Sequence, residues 1–128
     1  MPTFNAAIAY TNLADADAAV ITSFSALANT PVQDRLQNPH VARKWRNDSG
    51  GNEYIIVDLG SQMSVDTVDL IGLTGVAPST RLRLSTVDAT GAAGDAYDSG
   101  SSTTLYDPNY GHLIYLVTAV TCRYVRID

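Results

Sequence analysis

Apolar positions along this chain fall mostly into short runs, several of them with a spacing of two, the period of an extended strand with one buried face. Arg81-Leu82-Arg83-Leu84-Ser85 shows this most cleanly, with Leu82 and Leu84 turned inward and the arginines between them turned out. Val20-Ile21-Thr22-Ser23-Phe24 also alternates. Although the Ala-rich stretch before it has helical propensity, a short strand over 19–24 is the better reading. Tyr54-Ile55-Ile56-Val57-Asp58-Leu59 is a β-branched run that Gly60 should end, and a second run covers Val65 to Leu73. Two closing strands are expected over 113–120 and 121–127.

Helical signals are confined to one place. In Thr30-Pro31-Val32-Gln33 the Thr hydroxyl can accept from the Gln33 amide, Pro31 suits a first helical turn and Gln33 can reach back, which predicts a short helix over 31–37. It should stop there, because Pro39 disfavours the α conformation at Asn38. Gly91, Gly94 and Gly100 lie among small and acidic residues and predict an exposed loop or wide hairpin end over 91–102. Strand runs separated by turns, with no long amphipathic helix between them, predict an all-β sandwich or barrel.

Composition narrows the class. A chain of 128 residues suits one domain with one core, and 45% hydrophobic against 16% charged residues argues for a folded globule. A net charge of -5 excludes an extended phosphate-binding surface. The one basic cluster, Arg43, Lys44 and Arg46, is interrupted by Trp45 and reads as a solvated loop anchoring that indole. Cys122 is the sole cysteine, so neither an intrachain disulfide nor a Cys-rich zinc site is available. The first residues lack the basic and apolar regions of a signal peptide, and no run of about 18 apolar residues occurs, so synthesis in a cytoplasm without export or membrane insertion is expected.

Catalytic constellations are missing from the sequence. His40 and His112 are far apart with no metal-binding spacing, and neither a nucleophile motif nor a phosphate-cradling loop is present, so no enzyme activity is expected. Asp58 interrupts an apolar strand and needs amides or an arginine to satisfy it, with Arg123 or Arg126 as the candidate partner. Trp45 is positioned to plug one end of a small sandwich.

Three segments in order carry a family resemblance: Asn38-Pro39-His40-Val41-Ala42-Arg43-Lys44-Trp45-Arg46, then Tyr54-Ile55-Ile56-Val57-Asp58-Leu59-Gly60 with Val65-Asp66-Thr67-Val68, and finally Cys122-Arg123-Tyr124-Val125-Arg126-Ile127. Together they resemble the discoidin or coagulation-factor type C domains among the galactose-binding-like sandwiches. The resemblance implies an antiparallel jelly-roll β-sandwich over 12–128, preceded by an N-terminal arm over 1–11. The terminal cysteines that staple secreted members are absent here. Asn12-Leu13, the Pro-led helix and Arg43-Lys44-Trp45-Arg46 look closer to discoidin-like modules of tailed-bacteriophage virion proteins.

That style of resemblance implies a non-enzymatic virion component of a tail, fibre or capsid surface, acting in multiple copies with other virion proteins. Phe4 in the apolar arm would then order against a neighbouring subunit. The alternative is a carbohydrate-binding module adsorbing to a cell-surface glycan. Its candidate residues are Tyr97, Asp98, Tyr106, Asp107, Asn109, Tyr110 and His112, where aromatic and polar side chains share loop regions. No cofactor is expected beyond one structural calcium that the resemblance allows, with Asp34, Asn38 and Asp48 as its candidate ligands.

Overall fold

The computed structural model describes residues 11–24, 36–37, 53–71, 80–100, 106–107 and 111–128, the last set and 106–107 partly as backbone alone. A 3-10 turn (Leu13–Asp15) is followed by strands β1 (Val20–Ser23), β2 (Ile55–Ile71), β3 (Leu82–Ser85), β4 (Tyr97–Asp98), β5 (Tyr106–Asp107) and β6 (His112–Ile127). All described pairings are antiparallel: the order is β1-β2-β6-β3-β4, with β5 added on β6. The arm expected over 1–11, apart from Thr11, and most of the 31–37 helix lie outside the described residues, though Leu36 is helical.

Two expected breaks do not occur. The runs ending at Gly60 and starting at Val65 are one strand of 17 residues, and the two closing strands are one strand of 16 residues. What the sequence marks as an end is a bulge. Between the pairs Asp58↔Tyr124 and Met63↔Cys122, β2 carries Leu59 to Gln62 against Arg123 alone. Between Val65↔Val120 and Thr67↔Leu116, β6 carries Val117 to Ala119 against Asp66 alone. Each long strand therefore bulges once, which re-aims the chain without ending the ladder. Gly60 makes the first bulge with φ +79, and a Cβ there would lie 2.9 Å from both the Ala18 Cβ and its carbonyl oxygen.

The core follows from strand alternation. Across the five-stranded portion, Ile21, Val57, Val125, Leu84 and Tyr97 stand in one inward row, and Ile55, Ile127 and Leu82 in the next. Leu82, Leu84 and Cys122 are fully buried. Leu59, Val65, Val125 and Ile127 complete this cluster, against which Val68, Leu70, Val117 and Val120 from the far halves of β2 and β6 also pack. Both halves of the long β2–β6 pair thus bury one apolar face in a shared core, as a sandwich requires.

Candidate functional site

The outward face of the same sheet carries the charged and aromatic side chains. One row across it reads Thr22, Ile56, Arg126, Arg83 and Asp98 by strand register. Beyond it the backbone bonds Phe24 N to Tyr54 O, and Arg81 and Asp128 to each other, all at 3.0 Å, adding a second row of Phe24, Tyr54, Asp128 and Arg81. The ends of β1 and β6 and the approaches to β2 and β3 meet here.

Arg83 and Arg126 face each other across β3 and β6, a placement that repels unless a carboxylate intervenes. Asp128 supplies it. Arg83 Nη2 donates to Oδ2 and Arg126 Nη2 to Oδ1, each at 2.7 Å, and both Nε atoms donate to the same oxygens. Burial pushes the Asp128 carboxyl up, but Arg126 and Arg83 outweigh that and hold it below the usual carboxylate range.

The two guanidiniums also hold a loop. Arg126 Nη1 donates to Thr90 O at 3.1 Å and Arg83 Nη1 to Ala92 O at 2.8 Å. Inside the loop Asp88 accepts from Thr90 N, Thr90 Oγ1 and Ala93 N. Asp95 accepts from Thr86 N and Thr86 Oγ1. Residues 86–96 are therefore an internally hydrogen-bonded flap over the sheet, and Gly91, expected in an exposed loop, is buried there.

At the other side Tyr54 lies between two partners. The Phe24 ring stacks on it at 5.3 Å with 16° between planes, and Arg126 Cζ sits 3.7 Å from its centroid. At these distances one face of Tyr54 cannot hold both, so Phe24 and the guanidinium take opposite faces. Phe24 stays 53% exposed.

Of the residues singled out in the sequence, Arg123 is the one bound to Asp58: its Nε donates to Oδ1 at 2.8 Å and its Nη2 to Oδ2 at 3.0 Å. The Gly60 amide donates to the same Oδ1 at 2.8 Å, so this ion pair sits on the β2 bulge. The Arg123 guanidinium holds Asp58 below the usual carboxylate range. Arg126 belongs to the Asp128 and Tyr54 cluster instead.

Tyr97 and Asp98, read as loop residues, form β4. Tyr97 is half-buried against the core. Asp98 accepts from Arg81 Nε at 2.8 Å, from Arg81 Nη2 and from the Gly100 amide, and Arg81 lowers its carboxyl to about 2. Tyr106 and Asp107 form β5, opposite Leu113 and His112 of β6. The register therefore puts Tyr106, Asp107 and His112 together and places Tyr97 and Asp98 on another strand, paired with β3. Asn109, Tyr110, Trp45, Phe4, Asp34, Asn38 and Asp48 lie outside the described residues. Among the described residues no group of three His, Cys, Asp or Glu is arranged to hold a metal.

Sequence reasoning missed the Phe24, Tyr54 and Arg126 stack and the Asp128 bridge. Their signal was parity: residues 22 and 24, 54 and 56, 81 and 83, 126 and 128 share an outward face once register is known. Such a surface offers stacking and neutralised charge rather than a nucleophile or base.

No family model matches the sequence, and no curated protein matches it either. Solved structures do. Chitosan-binding module 1 of a chitosanase/glucanase from Paenibacillus sp. IK-5 superimposes with TM-score 0.67 at 23% identity, covering 92% of this chain and 85% of that one. The chain shares the antiparallel β-sandwich fold of that module. The lectin binding domain of Lectinolysin, complexed with Lewis b, gives TM-score 0.67 at 19% identity over 94% of this chain and 86% of that chain. The family 32 module of C. perfringens NanJ, in complex with galactose, gives 0.65 at 10% identity over 86% and 80%.

Proposed function

We propose that this chain is a non-catalytic glycan-binding sandwich. One observation carries the proposal: the fold likeness spans nearly the whole chain and nearly the whole of modules solved as binders of chitosan, Lewis b and galactose. The surface chemistry agrees, since Asp98 and Asp128 on the outward face are committed to arginines and, for Asp98, a backbone amide.

Tyr106, Asp107, Asn109, Tyr110 and His112 remain the proposed loop-side contacts, with aromatic rings for stacking and polar groups for hydroxyls. Asp98 serves a structural ion pair and Tyr97 the core rim, so both leave that set. The virion setting rests on the sequence resemblance alone and ranks behind glycan binding.

The test is calorimetric titration of the full chain with galactose, chitotriose and Lewis b. A dissociation constant of about 1 mM corresponds to about 4.1 kcal/mol of binding free energy. Heat of binding with saturation for at least one probe supports the reading, and none for all three overturns it.

A further inference from the structure

Among the described residues Phe24 is the aromatic side chain of the outward face that is more than half exposed. One of its faces is on Tyr54; the other, together with the exposed Thr22 two residues earlier on the same side of β1, looks away from the sheet. We infer that Phe24 is the stacking platform of a pyranose-binding subsite, with Thr22 beside it as a hydroxyl partner. This inference rests on the glycan-binding reading and names a position for it.

Two features of the cluster suit a pyranose. The platform is rigid: Tyr54 is clamped between Phe24 and the Arg126 guanidinium, which is fixed in turn by Asp128 and by Thr90 O. Stiff platforms leave little ordering entropy to lose on binding. Lastly, Thr22 and Phe24 are spaced i, i+2 on a strand, about 6.7 Å apart at Cα, a separation that lets one ring stack on Phe24 while an equatorial hydroxyl reaches Thr22. A flat apolar ring with a hydroxyl at its side matches the two chemistries of a pyranose, an apolar C–H face and a polar rim.

The experiment titrates chitotriose, galactose and Lewis b into the full chain and into Phe24→Ala, Phe24→Tyr and Tyr110→Ala, with thermal melts to confirm folding and sedimentation equilibrium to report self-association. The expected result is a loss on the order of tenfold or more in affinity for Phe24→Ala, with Phe24→Tyr close to the parent. If Phe24→Ala binds as the parent does while Tyr110→Ala loses affinity, the platform is overturned and the glycan reading survives on its loop side. If the parent is a dimer that Phe24→Ala dissociates with sugar affinity unchanged, Phe24 covers a second copy and the platform is likewise overturned. If the parent binds none of the three, both readings fall together.

Discussion

At the scale of single residues the flap over the sheet depends on backbone that only glycine supplies without strain. Gly91 has φ +65, and a Cβ built there lies 2.7 Å from the Arg126 Cβ, an atom fixed to the backbone that cannot swing away. Gly100 has φ +70 but open space around it. The two alanine variants therefore separate conformation from contact. Gly100→Ala should cost about 1 kcal/mol of unfolding free energy for the left-handed backbone alone, whereas Gly91→Ala should cost about 2–3 kcal/mol because the clash with Arg126 is added. Urea unfolding of both variants checks this. Equal losses would show that the flap shifts freely and does not rest on Arg126.

Among the elements, those that alternate cleanly were legible in the sequence. Leu82 and Leu84 turn inward between outward arginines, and β1 lies within the expected 19–24. Gly60 misled because a glycine with positive φ can either end a strand or bulge it, and the outcome depends on whether the partner strand continues past it. Here β6 does, and Asp58 with Arg123 fixes the bulge. The Asp128 bridge was illegible for a related reason: nothing local says that residues 83, 126 and 128 meet until β3 is paired with β6. Of the candidate ligand residues, the pattern placed Tyr97 and Asp98 in a loop because glycines flank them, and β4 is too short for alternation to announce it.

Within the same level, Asp128 joins the end of β6 to β3 and, through the arginines, to the flap. Its replacement by alanine leaves two half-buried guanidiniums opposite each other with no carboxylate. Asp128→Ala should lower unfolding free energy by about 1–3 kcal/mol. Because Arg126 and Arg83 hold the Thr90 and Ala92 carbonyls, amide exchange in the flap should accelerate more than exchange in β2. Stability and flap exchange both unchanged would show that the arginines hold the loop without the bridge.

For the whole molecule, the ion pairs and the hydrogen-bonded carboxylates of the flap make a prediction about acid. Asp58, Asp88, Asp95, Asp98 and Asp128 all titrate below the usual carboxylate range, and Asp98 reaches about 2. A carboxylate whose pKa is lower in the folded than in the unfolded chain contributes stability that is fully present above the unfolded value of about 3.9. That contribution is lost as pH falls through the folded value, since the unfolded chain takes up the proton first. The urea midpoint should therefore hold steady from pH 7 to about pH 5, then fall steeply between about pH 4 and 2. Arg81 is the principal cause for Asp98, so Arg81→Ala should be less stable than the parent at pH 7 and should show a shallower acid limb. Solvent screens this exposed pair, so the change at neutral pH should be small and the change in slope is the clearer readout. If the parent and Arg81→Ala lose stability in parallel down to pH 2, the acid sensitivity does not come from the Arg81–Asp98 pair, and that pair would have to be read as solvated charge.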